Sequence, residues 1–210
     1  MSTTGTPALL MVSMEPPASL EDEFNDWYDT EHFPQRMALP GFVSASRWVC
    51  IDGWPRWMAL YDLASLDALH SDAYLNVSGT RSTPWSRRLL PRTVGRSRVA
   101  AVALDEQDFM RHDTQHDPRA ICRLLAMSVP LRDGHTSSAA KIAGAVRESL
   151  AAREDLLQLR AFIEANSTCW LFAAFDAPVT AVALAAQIGR PADSGIKAFN
   201  LYVPYQRSSY

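Results

Sequence analysis

Cysteine is scarce in this chain, with three residues in 210. Cys50, Cys122 and Cys169 are odd in number, widely spaced and set in strand-like runs, so neither a disulfide framework nor a Cys-x-x-Cys pair is present. Reduced, buried and inert thiols in a cytoplasmic protein are expected. The opening MSTTGTPALLMVSM has no charged stretch of the signal-peptide kind, and its apolar run is too short to span a bilayer, so no membrane partner is expected. A formal net charge of −3, without a basic run interleaved with aromatics, argues against a nucleic-acid partner. Gly-rich phosphate loops and G-x-S-x-G elbows are missing too, which removes support for nucleotide and serine-hydrolase chemistry. His112 and His116, in HDTQH, have metal spacing only on a helix; in a polar stretch without a third ligand they read as solvated, and no metal is expected. His70 reads as a helix-surface residue.

What is present is apolar surface: 48% of the residues are hydrophobic, ample for the core of one large domain or two small ones. The chain predicts a strand over 8–14, a helix over 19–34, a hairpin over 42–63 turned at Asp52-Gly53, a short helix over 65–74 and a strand over 93–104. This is the β-α-β-β-α-β order of a ferredoxin-like unit. The second half predicts the same order: strand 121–129, helix 137–153, strands 156–165 and 169–175, helix 179–188 and strand 196–205. LLMVSMEP at 9–16 stands against LLAMSVP at 124–130, and MALYDL at 58–63 against FAAFDA at 172–177, as an old duplication would leave them. The expected domains are a first repeat at 1–104 carrying the site, a polar linker at 105–118 and a degenerate second repeat at 119–210. Two helices cover only one face of a four-stranded sheet, so the bare faces must meet. The expected fold class is α+β, two tandem repeats packed sheet to sheet as a single-chain, eight-stranded barrel with helices outside.

Chemistry concentrates in SLEDEFNDWYDTEHFP, 19–34. Ser19 with Asp22 has capping-box spacing, Glu21, Asp22 and Glu23 suit the first turn, and Pro34 is expected to stop the helix. At 100° per residue Leu20, Phe24, Trp27 and Glu31 share one stripe, with Tyr28 and His32 on its shoulder and Asp29 on the far side. An imidazole and a carboxylate beside a Trp and a Tyr make a candidate site. The plain alternative leaves Glu31 and His32 at a frayed helix end in water.

WYDTEHFP, the PGF at 40–42, the YDL strand end and TPWSRRLLP at 83–91 resemble the dimeric α/β-barrel superfamily, specifically its EthD-like members. The resemblance covers the first half and survives in the second only as pattern. It implies a fused pseudo-dimer, in a superfamily that holds small isomerases, polyketide cyclases, cofactor-free monooxygenases and haem enzymes related to chlorite dismutase. It also implies a histidine at the end of the first helix facing the cleft, which here is His32. The second half departs from this: SSAAKIAGAVRESLAARE has neither histidine nor acidic-aromatic stripe, so one working pocket is expected. His135, in a turn before that helix, does not supply the proximal ligand of the fused haem relatives, and no cofactor is expected.

Further candidates flank this segment. Arg47, mid-strand, needs an anionic partner, Glu31 or a ligand. Arg81, Arg87, Arg88, Arg92, Arg96 and Arg98 crowd a loop that could hold an anion, with Trp85 capping an apolar ligand and Arg88 among the binding residues; the alternative is a solvated basic loop facing the acidic helix. Tyr61 and Tyr74 could orient a substrate or simply pack. The leading expectation is a cofactor-independent acid/base enzyme of isomerase, cyclase, dehydratase or decarboxylase type acting on a small aromatic or polyketide-like acid. His32 would be the acid or base, Glu31 or Asp29 would orient it, and Phe24, Trp27 and Tyr28 would wall the pocket. Its alternatives are a cofactor-free monooxygenase holding an electron-rich phenolate, and a non-catalytic small-molecule-binding barrel. The expected partner is a small molecule, and a further homodimer is compatible with the pseudo-dimer.

Overall fold

Runs of apolar residues such as WMALYDL have both faces to bury, and a closed barrel with helices outside provides for both. The computed structural model describes residues 5–105, 121–131, 135–165, 167–189 and 195–205; His112, His116 and all but one residue of the 105–118 stretch lie outside them. Eight antiparallel strands, β1 (Ala8–Glu15), β2 (Phe42–Asp52), β3 (Trp57–Leu63), β4 (Val94–Ala103), β5 (Arg123–Pro130), β6 (Leu156–Glu164), β7 (Thr168–Phe175) and β8 (Ala198–Pro204), close in the order β1-β3-β2-β8-β5-β7-β6-β4. Read from β4, the first four strands run β4-β1-β3-β2 and the last four β8-β5-β7-β6, so each half has the same internal order. The halves join at β2–β8 and β4–β6.

Alternation along each strand sorts the core into layers. Leu9, Met11, Trp48, Met58, Leu60, Val99, Phe162, Phe172 and Tyr202 fill the lumen. Their neighbours Leu10, Ala59 and Tyr61 face the helices of the first half, and Leu125, Met127, Leu171 and Ala173 face those of the second. On the lumen side of β3, Asp62 accepts from Arg160 of β6 at 2.6 Å and from Ser44 of β2 at 2.6 Å, an ion pair between the halves. In the second half α5 (Thr136–Leu150) and α6 (Ala181–Ile188) cover the sheet, and Gly189 ends α6 in the left-handed region at φ 71°.

The first helical segment differs from its sequence expectation. It runs as a 3-10 turn (Ala18–Leu20), α1 (Glu21–Trp27), a π-helical turn (Tyr28–His32) and α2 (Phe33–Met37), so Pro34 does not stop it. A proline ring collides with the carbonyl four residues back, and a widened turn just before it moves that carbonyl away. Pro34 therefore opens α2 instead of closing α1. The expected Ser19 cap is not formed, since Ser19 lies inside the 3-10 turn and Leu20 precedes α1.

The basic stretch after the second helix is not a loop. Ser65 caps a 3-10 turn (Leu66–His70), Ser71 caps α3 (Asp72–Leu75), and Thr83 caps α4 (Pro84–Leu89), each side chain accepting from a backbone N–H two or three residues on. Ser86 and Leu89 of α4 are buried, so this segment is packed structure and not a solvated loop.

Candidate active site between the first helix and the sheet

The buried arc of the first helical segment is wider than the apolar stripe and is centred on Tyr28. Phe24, Trp27 and Tyr28 are 0%, 0% and 3% exposed, and the polar Asn25 beside them is buried too. The cause is Arg47, which β2 projects towards the helix at 7% exposure. Its guanidinium donates to Asp29 Oδ1 at 2.5 Å and to Asn25 Oδ1 at 2.7 Å, one helical turn apart. It also lies over the rings of Tyr28 (4.4 Å) and Tyr205 (4.3 Å). Asp29 is thus turned to the sheet, not to the far side, and Arg47 has Asp29 as its partner where Glu31 was the residue expected.

Glu31 is engaged elsewhere: it accepts from Thr83 Oγ1 at 2.5 Å. Ser86 Oγ, 2.9 Å from Thr83 Oγ1, accepts from Trp27 Nε1 at 3.1 Å, so α4 is pinned to the first helical segment through hydroxyls. With Asp29 on Arg47 and Glu31 on Thr83, neither carboxylate orients His32 as expected. Trp85 and Arg88 are also placed differently: both direct their polar ends to Glu23 in the first turn of α1. They clamp α4 and do not reach the imidazole.

His32 itself is held inward by the π-helical turn. Its ring lies 4.4 Å from that of Trp27 and edge-on to Tyr28 at 5.2 Å. Nδ1 is buried and has no hydrogen-bond partner. Burial first, and then the positive fields of Arg36 and Arg47, push its pKa down to about 3. The imidazole is therefore neutral at physiological pH, not the frayed and solvated group of the plain alternative.

Beside it stands Tyr28, whose hydroxyl pKa is raised by burial against the opposing field of Arg47; next to Tyr28 lies Tyr61, whose pKa is raised further by burial and by Tyr28. Tyr61 Oη has no well-formed hydrogen bond. Its ring meets Phe33 and Phe42, and Phe42 stacks on half-buried Tyr74 at 5.9 Å. Two residues of this layer were missed from sequence, Arg36 and Ser78. The missed signal was Pro34 at the first position of a continuing helix, which puts Arg36 four residues beyond His32 on the same face.

A crevice of about 150 Å³ bounded by Met14, Phe24, Tyr28, Arg47, Trp57 and Met58 is too narrow to hold a water molecule.

A scan of family models finds no match, and no curated protein matches in sequence. Solved structures do match. An anthrone oxidase-like protein has a TM-score of 0.61 at 8% identity, over 97% of this chain and 93% of that one. A candidate monooxygenase from Fusobacterium nucleatum subsp. nucleatum has 0.59 at 11%, over 97% and 99%. A chlorite dismutase variant from Candidatus Nitrospira defluvii has 0.59 at 6%, over 97% and 93%. At these identities the likeness shows the fold: an eight-stranded α+β barrel of the dimeric-barrel and chlorite dismutase kind, closed within one chain. The expectation of isomerase or lyase chemistry is overturned by these neighbours: two of the three carry the names of a monooxygenase and of an anthrone oxidase-like protein, which back the cofactor-free monooxygenase alternative.

A haem does not fit the residues that the structure describes. In the second half Ala139, Ala143, Val146 and Leu150 of α5 pack directly with Leu125, Leu171 and Ala173 of the sheet, and His135 precedes the helix instead of facing that layer. Among the described residues no three His, Cys, Asp or Glu side chains gather as a metal ligand set. No described helix is long and apolar enough to cross a membrane.

Proposed function

We propose that the protein is a cofactor-free monooxygenase acting on an electron-rich phenol, with His32 as the proton acceptor. The observation that carries the reading is the buried, unpartnered Nδ1 of His32 set between Trp27 and Tyr28. A phenol bound there gives its proton to Nδ1, and the ring that remains is rich enough to pass electrons to dioxygen. In the net reaction one oxygen atom enters the ring to give a quinone and the other leaves as water, with all four electrons drawn from the substrate. The hydroxyls of Tyr28 and Tyr61, which burial keeps protonated, donate to the developing phenolate in this reading. The neutral state of His32 leaves its lone pair free before the substrate arrives, and the phenolate then stabilises the imidazolium that burial disfavours. The names of the structural neighbours lean the same way.

The same proposal takes the chain as an EthD-like fused pseudo-dimer, with repeats at 1–104 and 119–210 and the working site in the first. Its thiols are reduced in the cytoplasm.

The test is oxygen uptake in an electrode cell with 1-naphthol and with anthrone, using chelator-treated protein and isotopically labelled dioxygen. Uptake with one labelled atom in the product is expected, and His32→Gln should slow it about 100-fold or more. Aromatic binding without oxygen uptake, or a His32→Gln variant as fast as the parent, refutes the proposal.

A further inference from the structure

Among the described residues three arginines are almost fully buried: Arg36, Arg47 and Arg160, at 6%, 7% and 8% exposure. Two of them face a carboxylate, Arg47 with Asp29 and Arg160 with Asp62. Arg36 does not. It donates to Val77 O at 3.0 Å and to Gln35 Oε1 at 3.3 Å, and its guanidinium carbon lies 5.3 Å over the Tyr74 ring. A carbonyl, an amide oxygen and a ring face satisfy hydrogen bonds and polarisability but leave the charge uncompensated, and a buried uncompensated charge is strongly disfavoured. Selection for stability alone replaces such a residue with an apolar one of similar length.

The surroundings are short of partners as well. Buried polar atoms without a well-formed hydrogen bond stand near it in the same helix-facing layer, among them His32 Nδ1 one turn back on the first helical segment, Tyr61 Oη beside Tyr28, and Ser78 Oγ in the residue after the carbonyl that Arg36 holds. The field of Arg36 is felt at His32, Tyr28 and Tyr61, so these groups share one space. Around that space Phe33, Phe42 and Tyr74 present flat apolar faces.

We infer that Arg36 is the anchor for a ligand anion, and that the natural ligand of this layer is a planar aromatic carboxylate whose charged group sits on Arg36 beside Ser78. A carboxylate matches the planar fork of a guanidinium with two parallel hydrogen bonds, and the phenyl-type walls match a flat body. Arg36 holds the Val77 carbonyl in the protein without ligand, and an arriving carboxylate takes the place of that carbonyl as acceptor. This inference rests on taking the His32 layer as a ligand site, but not on oxygen chemistry.

The experiment is calorimetric titration at constant ionic strength near neutral pH with 2-naphthoate and its neutral isostere 2-naphthamide. The parent protein should prefer the anion by about 10- to 100-fold. Arg36→Gln should bring the anion down to the affinity of the amide, and Arg36→Lys should retain part of the preference. Without ligand, Arg36→Met should melt at or above the parent temperature, whereas Arg47→Met, which strands Asp29 and Asn25, should melt below it. Equal affinity for the two probes, failure of both to bind, a preference that survives in Arg36→Gln, or an Arg36→Met variant as destabilised as Arg47→Met overturns the assignment. Anion preference without oxygen uptake sinks only the monooxygenase reading; oxygen uptake without anion preference sinks only this one.

Discussion

The burial of His32 makes the folded protein sensitive to acid in a calculable way. In the unfolded chain the imidazole takes its proton near pH 6.5, while in the folded chain burial and the fields of Arg36 and Arg47 hold it neutral down to about pH 3. Through that window the unfolded state carries more protons, so stability falls as the pH falls and is flat from this group above pH 6.5. At about pH 4.5, two units below the unfolded value, the loss is about 2.7 kcal/mol. For a chain of this length the unfolding entropy is about 0.44 kcal/mol per kelvin, which makes the loss roughly a 6 °C fall in melting temperature. His32→Phe keeps a ring against Trp27 and cannot titrate, so it serves as the reference. Melting curves of both proteins between about pH 7 and pH 4.5 should diverge, with the parent losing roughly 6 °C more than the variant. Parallel curves would refute the claim that the imidazole is held neutral in the folded state.

Two other predictions follow from the packing. Arg160→Met leaves Asp62 charged and buried in the lumen, and it should cost about 3 to 5 kcal/mol by urea unfolding, while Arg160→Met with Asp62→Leu should recover most of the loss; a single variant within about 1 kcal/mol of the parent would show that the pair is not desolvated. Ser86→Ala strands the indole N–H of fully buried Trp27 and should cost about 1 to 3 kcal/mol by the same assay, an outcome that an unchanged midpoint would contradict.

Much of the architecture is legible before any coordinates. The eight strands follow from short apolar runs bounded by turn residues, and the matching order of the two halves follows from their repetition. Even the closing of the barrel is implied, because a sheet covered by helices on one face alone leaves the other in water. The concentration of ring-bearing and ionisable side chains in 19–34 also marks the candidate site, since local spacing is enough to put His32 beside Trp27 and Tyr28.

What local spacing cannot contain is the partner supplied from elsewhere in the chain. Asn25 and Asp29 look like a solvent-facing strip until β2 brings Arg47 against them, and Glu31 looks like the companion of His32 until α4 brings Thr83. Pro34 reads as a stop because its penalty within a regular helix is known, whereas the π-helical turn that removes the penalty is held by packing on both sides. Arg36 is invisible for the same reason: a charge with no partner can be recognised only once every other group around it has been placed. Strand and helix identity are short-range properties of pattern and so were written in the residues, whereas the pairing of buried charges depends on contacts between segments far apart in the chain, which only the closed barrel brings together.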